Sequence, residues 1–435
     1  MADPARSSEP FPAEGLPLEQ ARQRILEAIA APGAAERLPL ASALGRVSAE
    51  PVRAPAAVPG FRAAILDGYA IAEASVPQLG HTWPLVGRSS PGAPFRRAGG
   101  PGAGPDRLEP GEAIRILTGA PLPEGATRVL AQELVEVEGG AADRPAAASP
   151  IRLAREASAN PWIRAAEEEA AAGQELLPAG VRLGPADLGR LAGCGVAELA
   201  LRPRPRIGLL VSGDELVPAG QPRGPGQIWE SNGTLLEALL ARLGYAVAER
   251  RLVGDAPETL RAALLELAGG CDVVVSTGGV SAGDSDWIRP LLAELGAVDF
   301  WKLFLKPGRP FAFGELGGRP FFGLPGNPVA AAITALQLLW PALQALEGAE
   351  PQLLPRLKLR LAADLKRGPG RPELARARLQ VGPGGELLAL VEGSQASSRI
   401  GSLQGADLLL EIPAEAGTLA AGSELWAQLL RLPLF

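Results

Sequence analysis

The chain has 435 residues and a net charge of −6, which argues against a general surface for nucleic acids or anionic membranes. Its 47% hydrophobic and 21% charged residues are typical of a globular protein, and the length predicts about two to four domains. Cys194 and Cys271 form neither a CxxC pair nor a disulfide framework, so we expect a cytoplasmic protein. His81 is the only histidine, and we expect no histidine-ligated zinc site. No signal peptide or membrane span is expected either.

The first half of the chain predicts one helical region interrupted by a β-rich insertion. Residues 16–31 place Leu18, Ile25 and Ile29 at helical spacing. Residues 55–154 contain short β-like runs between loops rich in glycine and proline, which predicts a small β-rich domain. Helical and mixed patterning returns over 155–200, in particular at 162–173 and 184–199, and we expect this segment to pack with the first helix. Residues 1–54 and 155–200 would then form one elongated helical domain.

The second half predicts an α/β domain and a β tail. Between 201 and 350, apolar strands at 206–212, 246–255 and 271–279 alternate with helices at 232–245, 257–270 and 284–296, and a hairpin and a helix at 329–346 follow. This alternation indicates a mostly parallel sheet covered on both faces. Residues 351–435 predict a small barrel-like β domain. The expected fold class is therefore multidomain α/β.

The stretch from Phe300 to Ala332 concentrates cationic side chains. Lysine occurs at only four positions in the chain, and two of them, Lys302 and Lys306, lie here with Arg309. Lysine supplies a compact mobile charge that arginine does not reproduce. The stretch predicts an anion site, although a chance cluster of lysines on a solvated hairpin is an alternative.

Four polar turns follow strands of the α/β region, at 212–215, 254–255, 276–286 and 324–328. Ligands of open parallel sheets bind at the carboxyl ends of strands, so these turns are expected to line one crevice. Their glycines would let backbone approach a phosphate, and their carboxylates would suit Mg²⁺. The carboxylates are Asp214, Glu215, Asp255, Asp284 and Asp286. Each turn alone is also typical of a helix cap, and Asp286 could be only an N-cap.

Taken in order, these motifs resemble the molybdopterin molybdenumtransferases, the molybdenum insertases that include the E domain of gephyrin. The motifs in the α/β region are SGDELVPAG, GQIWESN, VSTGGVSAGDSDW, FLKPGRP and FGLPGNPVAA. Elsewhere, LDGYA, RILTGAPLPEGA, GRPELAR and SSRIGSL match the family in its inserted and C-terminal domains. The resemblance covers essentially the whole chain after the first 15 or so residues.

The resemblance implies a reaction and an assembly. The α/β domain would bind adenylylated molybdopterin, and molybdate would be inserted with Mg²⁺-dependent cleavage of the adenylate, releasing AMP and molybdenum cofactor. The inserted domain of one subunit would reach the crevice of the other in a homodimer. A molybdopterin adenylyltransferase and proteins that mature molybdoenzymes are possible partners.

The resemblance also implies roles for individual residues. The catalytic positions are Asp67, Thr118, Glu215, Asp255, Asp286, Lys302 and Lys306, and Glu215, Asp255 and Asp286 are also the candidate metal ligands. The substrate-binding positions are Ser212, Gly213, Asp214, Asn232, Gly278, Gly279, Ser281, Asp284, Arg309, Pro325, Gly326, Asn327 and Pro328. The candidates on the molybdate side are Arg371, Arg376, Ser397 and Ser398.

The chain departs from the family pattern at several positions. The run Arg62-Ala63-Ala64 replaces a polar run, Ala256 replaces an acidic residue, and Arg309 replaces a lysine. Two alternatives to an insertase remain, and the departures motivate the second of them. One is a molybdopterin adenylyltransferase, although stand-alone enzymes of that kind lack the inserted and C-terminal domains. The other is a non-catalytic binding or scaffold paralogue.

Overall fold

The computed structural model describes residues 14–30, 33–97, 106–138, 149–280 and 286–430. The helices of this part of the chain are Leu18–Ala28, Pro185–Gly193, Asn232–Arg242, Pro257–Gly270, Ile288–Leu295, Pro328–Thr334, Trp340–Leu346 and Gly401–Gln404. A π-helical segment, Ala335–Leu339, joins Pro328–Thr334 to Trp340–Leu346, and short 3-10 turns lie at Leu40–Ser42 and Gln132–Leu134.

A six-stranded sheet forms the centre of the α/β domain. Its order is Val247–Val253, Ile207–Ser212, Val273–Thr277, Arg319–Leu324, Ala312–Leu316 and Gly296–Trp301. The first four strands are parallel and the last two join antiparallel. Every residue of Ile207–Ser212 and Val273–Thr277 is buried, because helices cover both faces. The predicted mostly parallel α/β sheet is confirmed.

The helix spanning Pro328–Leu346 is long and apolar enough by composition to cross a membrane. It lies in the domain core instead, with 89% of its most apolar window buried. The first helix, Leu18–Ala28, packs against it, and the buried Arg22 donates from Nε to the carbonyl of Gln337 at 3.0 Å. The expectation that the first helix packs with residues 155–200 was therefore wrong.

Residues 155–200 contain less helix than expected. The segment 162–173, read as helical or mixed, holds the short strand Ile163–Arg164 and then turns, while Pro185–Gly193 is the helix. Short strands pair this segment with the earlier chain: Glu36–Pro39 with Glu198–Leu201, and Val52–Arg53 with Glu175–Leu177. The partner of residues 155–200 is thus an extended segment, because antiparallel pairing satisfies the backbone of both.

The inserted region contains a second six-stranded sheet. Its order is Arg128–Ala131, Gly68–Ile71, Ala113–Ile116, Thr82–Ser89, Pro150–Leu153 and Val135–Val137. A further strand, Ala63–Ala64, pairs with Ile163–Arg164. The β-rich character predicted for this region is confirmed.

The C-terminal region is a closed five-stranded barrel, as its barrel-like pattern predicted. The strand order is Arg356–Leu361, Leu387–Leu390, Glu373–Val381, Leu408–Ile412 and Glu424–Leu429, and the last strand pairs with the first. Glu424–Leu429 was not predicted from the sequence. Outside these sheets, Leu216–Val217 pairs with Ile228–Trp229 beside the first strand-end turn of the α/β domain. The domain limits drawn from the sequence remain predictions.

Candidate functional site

Two strand-end turns of the α/β domain meet through reciprocal hydrogen bonds. The backbone N–H of Asp255 donates to Oδ1 of Asp214 at 3.0 Å, and the N–H of Asp214 donates to Oδ2 of Asp255 at 3.3 Å. These two turns are 41 residues apart in sequence, and adjacent parallel strands bring them together. One wall of the crevice is therefore a rigid pair of carboxylate turns.

Asp214, Glu215, Asp255 and Asp286 form an acidic cluster around this pair. Burial raises the pKa of Asp255, and the negative charges of the other three members raise it further. A Cβ at Gly213, whose φ is +155°, would lie 2.6 Å from Oε2 of Glu215, so glycine leaves room for that carboxylate. The cluster favours a cation that would relieve its repulsion.

Asp286 is not a helix cap. The next helix begins at Ile288, and its N-cap residue is Trp287, whose side chain makes no capping hydrogen bond. The sequence placed the start of this helix after Asp284. Asp284 and Ser281 lie outside the described residues, so their predicted roles stay predictions.

The acidic cluster suits Mg²⁺ in charge but offers it few ligands. Across the described ranges, no three histidine, cysteine, aspartate or glutamate side chains converge in a metal-binding group. Mg²⁺ is usually held by one or two carboxylates together with waters and substrate phosphates, so a full protein cage is not required. Two of the candidates Glu215, Asp255 and Asp286 would be sufficient.

Asn232 fixes the turn that follows the hairpin. Its Nδ2 donates to Oγ1 of Thr277 at 2.8 Å and to the carbonyl of Gly326 at 2.7 Å, and the Thr277 hydroxyl donates to the carbonyl of Pro325 at 3.0 Å. Asn232 is 9% exposed and stands at the start of its helix. The amide therefore joins the start of its helix to two strand ends, a positioning role beyond its predicted contact with substrate.

The exposed part of that turn contains Gly326 and Asn327. Asn327 is the N-cap residue of the helix that begins at Pro328, and its side chain makes no capping hydrogen bond. Pro325 is buried and Pro328 is half-buried. The turn thus exposes a glycine backbone and an asparagine side chain that makes no capping hydrogen bond.

Glycines shape the floor of the crevice. Gly278 has φ +97°, and a Cβ there would lie 2.6 Å from the carbonyl oxygen of Ser212. A Cβ at Gly279, with φ +63°, would lie 2.7 Å from Cγ1 of Ile288. Below them, the buried hydroxyls of Ser212 and Ser276 have no hydrogen-bond partner in the described chain. The floor therefore combines close backbone approach with two unsatisfied polar groups, as a polar ligand site does.

Lys302 has an unusual backbone conformation. Its φ is +72°, in the left-handed region, while its N–H donates to the carbonyl of Phe311 at 2.8 Å and its carbonyl accepts from Leu16 at 3.1 Å. Its Nζ lies 3.8 Å from the centre of the Trp301 ring. The lysine is held by an aromatic face, which attracts a cation electrostatically.

Lys306 is paired at the junction with the barrel. Its Nζ lies 3.0 Å from Oε1 of Glu373, a residue that is 5% exposed. Nε of Arg367 lies 3.8 Å from the other oxygen of Glu373. Sequence analysis missed Glu373 as a functional candidate, although it stands inside the GRPELAR motif. The carboxylate fixes the lysine where the two domains meet.

Three further predicted residues join Lys306 at this junction. Nη1 of Arg371 donates to the carbonyl of Leu305 at 2.7 Å. Burial lowers the pKa of Arg371, and the neighbouring charge of Arg309 lowers it further. The carbonyl of Ser397 accepts from the N–H of Val329 at 3.1 Å, just after the Pro325–Pro328 turn. We call this contact between the α/β domain and the barrel the cationic junction. Its cations are Lys306, Arg309 and Arg371, and Ser397 adds a polar residue.

Arg376 and Ser398 are arranged differently. Arg376 is 2% exposed, and it donates from Nε to Oγ of Ser402 at 3.1 Å and from Nη2 to the carbonyl of Ala396 at 3.2 Å. These contacts lie within the barrel domain. Ser398 is exposed on the loop that carries Ser397. Arg376 therefore contacts other residues of the barrel, whereas Arg371 contacts Leu305 of the α/β domain.

Asp67 and Thr118 interact within the insertion. Oδ1 of Asp67 accepts from the Thr118 N–H at 2.7 Å and from its hydroxyl at 2.8 Å. These bonds lower the pKa of Asp67, with a smaller effect from Arg115. In the described chain, Asp67 makes no hydrogen bond or ion pair with the acidic cluster or the cationic junction. The pair is preorganised, and none of these bonds links it to the crevice.

The departures from the family pattern have structural roles. Ala63 and Ala64 are buried strand residues, and Nη2 of Arg62 donates to the carbonyl of Ala126 at 2.9 Å. Ala256 is the N-cap residue of Pro257–Gly270, where its carbonyl accepts from Leu260 at 3.0 Å. None of these residues disrupts the acidic cluster.

Comparison with known proteins agrees with this architecture. Family models match in order: MoeA N-terminal region (domain I and II) over 16–195, probable molybdopterin binding domain over 208–345, and MoeA C-terminal region (domain IV) over 358–430. A molybdopterin molybdenumtransferase of Haemophilus influenzae is 32% identical over 409 residues, covering 94% of this chain and 96% of the relative. Molybdopterin molybdenumtransferase 2 of Mycobacterium tuberculosis is 32% identical over 396 residues, covering 89% of this chain and 93% of the relative.

The fold has a solved counterpart. The molybdopterin biosynthesis moeA protein from Pyrococcus horikoshii OT3 superposes with a TM-score of 0.75 at 26% identity, covering 95% of this chain and 99% of that one. Sequence and structure agree over nearly the full length. The chain belongs to the molybdopterin molybdenumtransferase family, transferases of molybdenum cofactor biosynthesis.

Proposed function

We propose that the enzyme inserts molybdate into adenylylated molybdopterin, with Mg²⁺-dependent cleavage of the adenylate and release of AMP and molybdenum cofactor. One observation carries the proposal: the Pro325–Pro328 turn and the residue that follows it, Val329, together make bonds to both halves of the site. Gly326 accepts from Asn232 on the side of the strand ends, and Val329 donates to Ser397 at the cationic junction. A phosphoanhydride and an oxyanion could therefore be held beside each other.

The acidic cluster is the proposed site of adenylate cleavage. Glu215, Asp255 and Asp286 would hold Mg²⁺, which supplies charge compensation at the phosphate oxygens when bound. Asp214 braces Asp255 through their reciprocal hydrogen bonds. Gly278 and Gly279 allow backbone to approach the phosphate. Positioning and charge compensation account for most of catalysis in phosphoryl chemistry, so rigidity of these turns is the enzyme's main contribution.

The cationic junction is the proposed molybdate site. Lys306, Arg309 and Arg371 supply positive charge, and Ser397 and Ser398 supply polar groups on the barrel side. Lys302 adds a cation from the end of the same hairpin. Molybdate is a dianion, and charge-assisted hydrogen bonds of this kind are about twice as strong as neutral ones.

The decisive assay measures AMP release from adenylylated molybdopterin with and without molybdate and Mg²⁺. We expect AMP and active cofactor only when both are present. An adenylyltransferase would instead form the adenylate from ATP, and a non-catalytic paralogue would bind the pterin without turnover. Failure to form AMP and cofactor would overturn the proposal. The structural roles of Arg62, Ala63, Ala64 and Ala256 favour an active enzyme over the paralogue.

We further propose a homodimer whose sites are shared, with Asp67 and Thr118 reaching the partner's crevice. The pair is preorganised yet makes no bond to the crevice of its own chain. Mixing an Asp67→Ala chain with an Asp286→Ala chain tests this. Random reassembly makes half of the dimers mixed, each with one intact site, so about a quarter of wild-type activity should return. Each variant alone is the control, and no recovery from a verified mixed dimer would refute sharing.

Partners and location follow from the same proposal. An adenylyltransferase would supply the substrate, and proteins that mature molybdoenzymes would receive the product. We also propose a cytoplasmic location, since Cys194 and Cys271 are buried and form no disulfide with each other.

A further inference from the structure

A second cationic cavity lies in the barrel domain. It has a volume of about 230 Å³ and opens between the strand Glu373–Val381 and residues 390–406. Its charged lining consists of Arg376, Arg378, Arg399 and Glu392. Three guanidinium groups against one carboxylate give the cavity a formal charge of +2.

The deep end of the cavity contains an unsatisfied cation. Arg376 is 2% exposed, and its Nε and Nη2 have protein acceptors, but Nη1 has no hydrogen-bond partner in the described chain. An unpaired donor on a buried charged group is costly to leave. An anion in the cavity would supply the missing acceptor.

The rim carries two cations that can close over a ligand. Nε of Arg378 lies 3.5 Å from Oε2 of Glu392, and the Arg378 side chain is 60% exposed. Arg399 is exposed, and no carboxylate in the described ranges forms an ion pair with it. A Cβ at Gly405 would lie 3.0 Å from Nη2 of Arg378, so a larger residue would press on this guanidinium. Weakly held arginines around a buried one are suited to enclosing a small anion.

We propose that this cavity binds a tetrahedral divalent oxyanion, and that molybdate is the one it takes in the cell. The identity of the ligand as molybdate rests on the proposed function, whereas the oxyanion site does not. The cavity is next to the loop of the cationic junction: the carbonyl of Ala396 accepts from Arg376, and the next residue, Ser397, accepts from Val329. An anion bound to Arg376 would therefore steady the loop that carries Ser397 and Ser398.

Binding of sodium molybdate to the full-length protein at low ionic strength, followed by titration calorimetry, tests the proposal. The test variant is Arg378→Ala/Arg399→Ala, which changes exposed side chains only. The control is Lys358→Ala/Arg360→Ala, which removes two exposed cations from another strand of the same barrel. The reference variant is Arg371→Ala, which removes a cation of the junction. No pterin is needed, so failure of the AMP-release assay would leave this test intact.

We expect two molybdate equivalents per chain for wild type and for the control. One of them should weaken about tenfold or more in the test variant, and the other should weaken in Arg371→Ala. Sulfate is titrated in parallel. If sulfate binds the cavity as tightly as molybdate does, the site for tetrahedral dianions is supported and its identification with molybdate is overturned. Unchanged binding in Arg378→Ala/Arg399→Ala, or an equal loss in the control, would overturn the site itself. Arg378→Gln/Arg399→Gln repeats the test with side chains closer in length.

Discussion

The backbone at Lys302 leads to a prediction that separates catalysis from stability. Lys302 has φ +72°, and hydrogen bonds to Phe311 and Leu16 hold it in that conformation. Lys302→Ala and Lys302→Gly both remove the cation. Only glycine also removes the steric cost of the left-handed conformation. We therefore expect both variants to lose insertion activity and to differ in stability.

The size of the difference follows from two contributions. Losing the contact between Nζ of Lys302 and the Trp301 ring, now 3.8 Å long, costs both variants about 0.5–1 kcal/mol. The left-handed conformation costs a non-glycine residue roughly 1–2 kcal/mol, and the glycine variant avoids this cost. The larger entropy of glycine in the unfolded chain takes back up to about 1 kcal/mol of this stabilisation. The glycine variant should thus be more stable than the alanine variant by about 1 kcal/mol.

Urea unfolding measures this difference, and AMP release measures activity on the same preparations. Gly111→Ala is a matched control in the insertion: glycine there also has a positive φ, +81°, and alanine should destabilise without affecting the crevice. If the glycine variant is no more stable than the alanine variant, the backbone at Lys302 is not strained. Full activity in either variant would remove Lys302 from the site.

Three other predictions concern bonds within the site. Asn232→Ala and Thr277→Val should each lower the free energy of unfolding by about 1–3 kcal/mol. Because the two side chains share a hydrogen bond, the double variant should lose roughly 1 kcal/mol less than the sum of the single losses. Strictly additive losses in urea titrations would refute this coupling. Thr118→Val should raise the pKa of Asp67, since it removes one of two donors, and an unchanged carboxyl titration by NMR would contradict this. Asp255→Asn should abolish AMP release yet raise the melting temperature. Because folding raises the pKa of Asp255, wild-type stability should fall relative to the variant as pH rises through that pKa, and parallel pH profiles would refute the repulsion.

The central sheet could be predicted because its strands are buried on both faces. Continuous apolar runs such as Val273–Thr277, separated by helices such as Pro257–Gly270, leave little ambiguity about a parallel sheet. The convergence of the strand-end turns then follows from the topology. Geometry within the crevice, including the double role of Asn232, does not follow, because it depends on the side chains of Asn232 and Thr277 meeting the backbone of a third turn.

Local propensity and the observed structure disagree at 162–173. Alanine and glutamate in this segment favour a helix, but Trp162 has φ +55° and Glu167 has φ +64°, which are incompatible with a right-handed helix. Pairing of Ile163–Arg164 with Ala63–Ala64 outweighs the weak preference of a short segment. The first helix was misplaced for a related reason. Its apolar face indicates burial but does not identify the partner, which lies more than 300 residues later.

The pairing of Lys306 with Glu373 changes how the cationic stretch is understood. The sequence suggested free lysines awaiting an anion, yet Lys302 rests on Trp301, Lys306 is bound to Glu373, and Arg371 donates to Leu305. An incoming oxyanion must therefore compete with contacts that already exist. A singly charged anion offers Lys306 no more than Glu373 does, whereas a dianion offers more charge at the same distance. The contacts that these cations already make within the chain would thus favour a doubly charged oxyanion over the monovalent anions in solution.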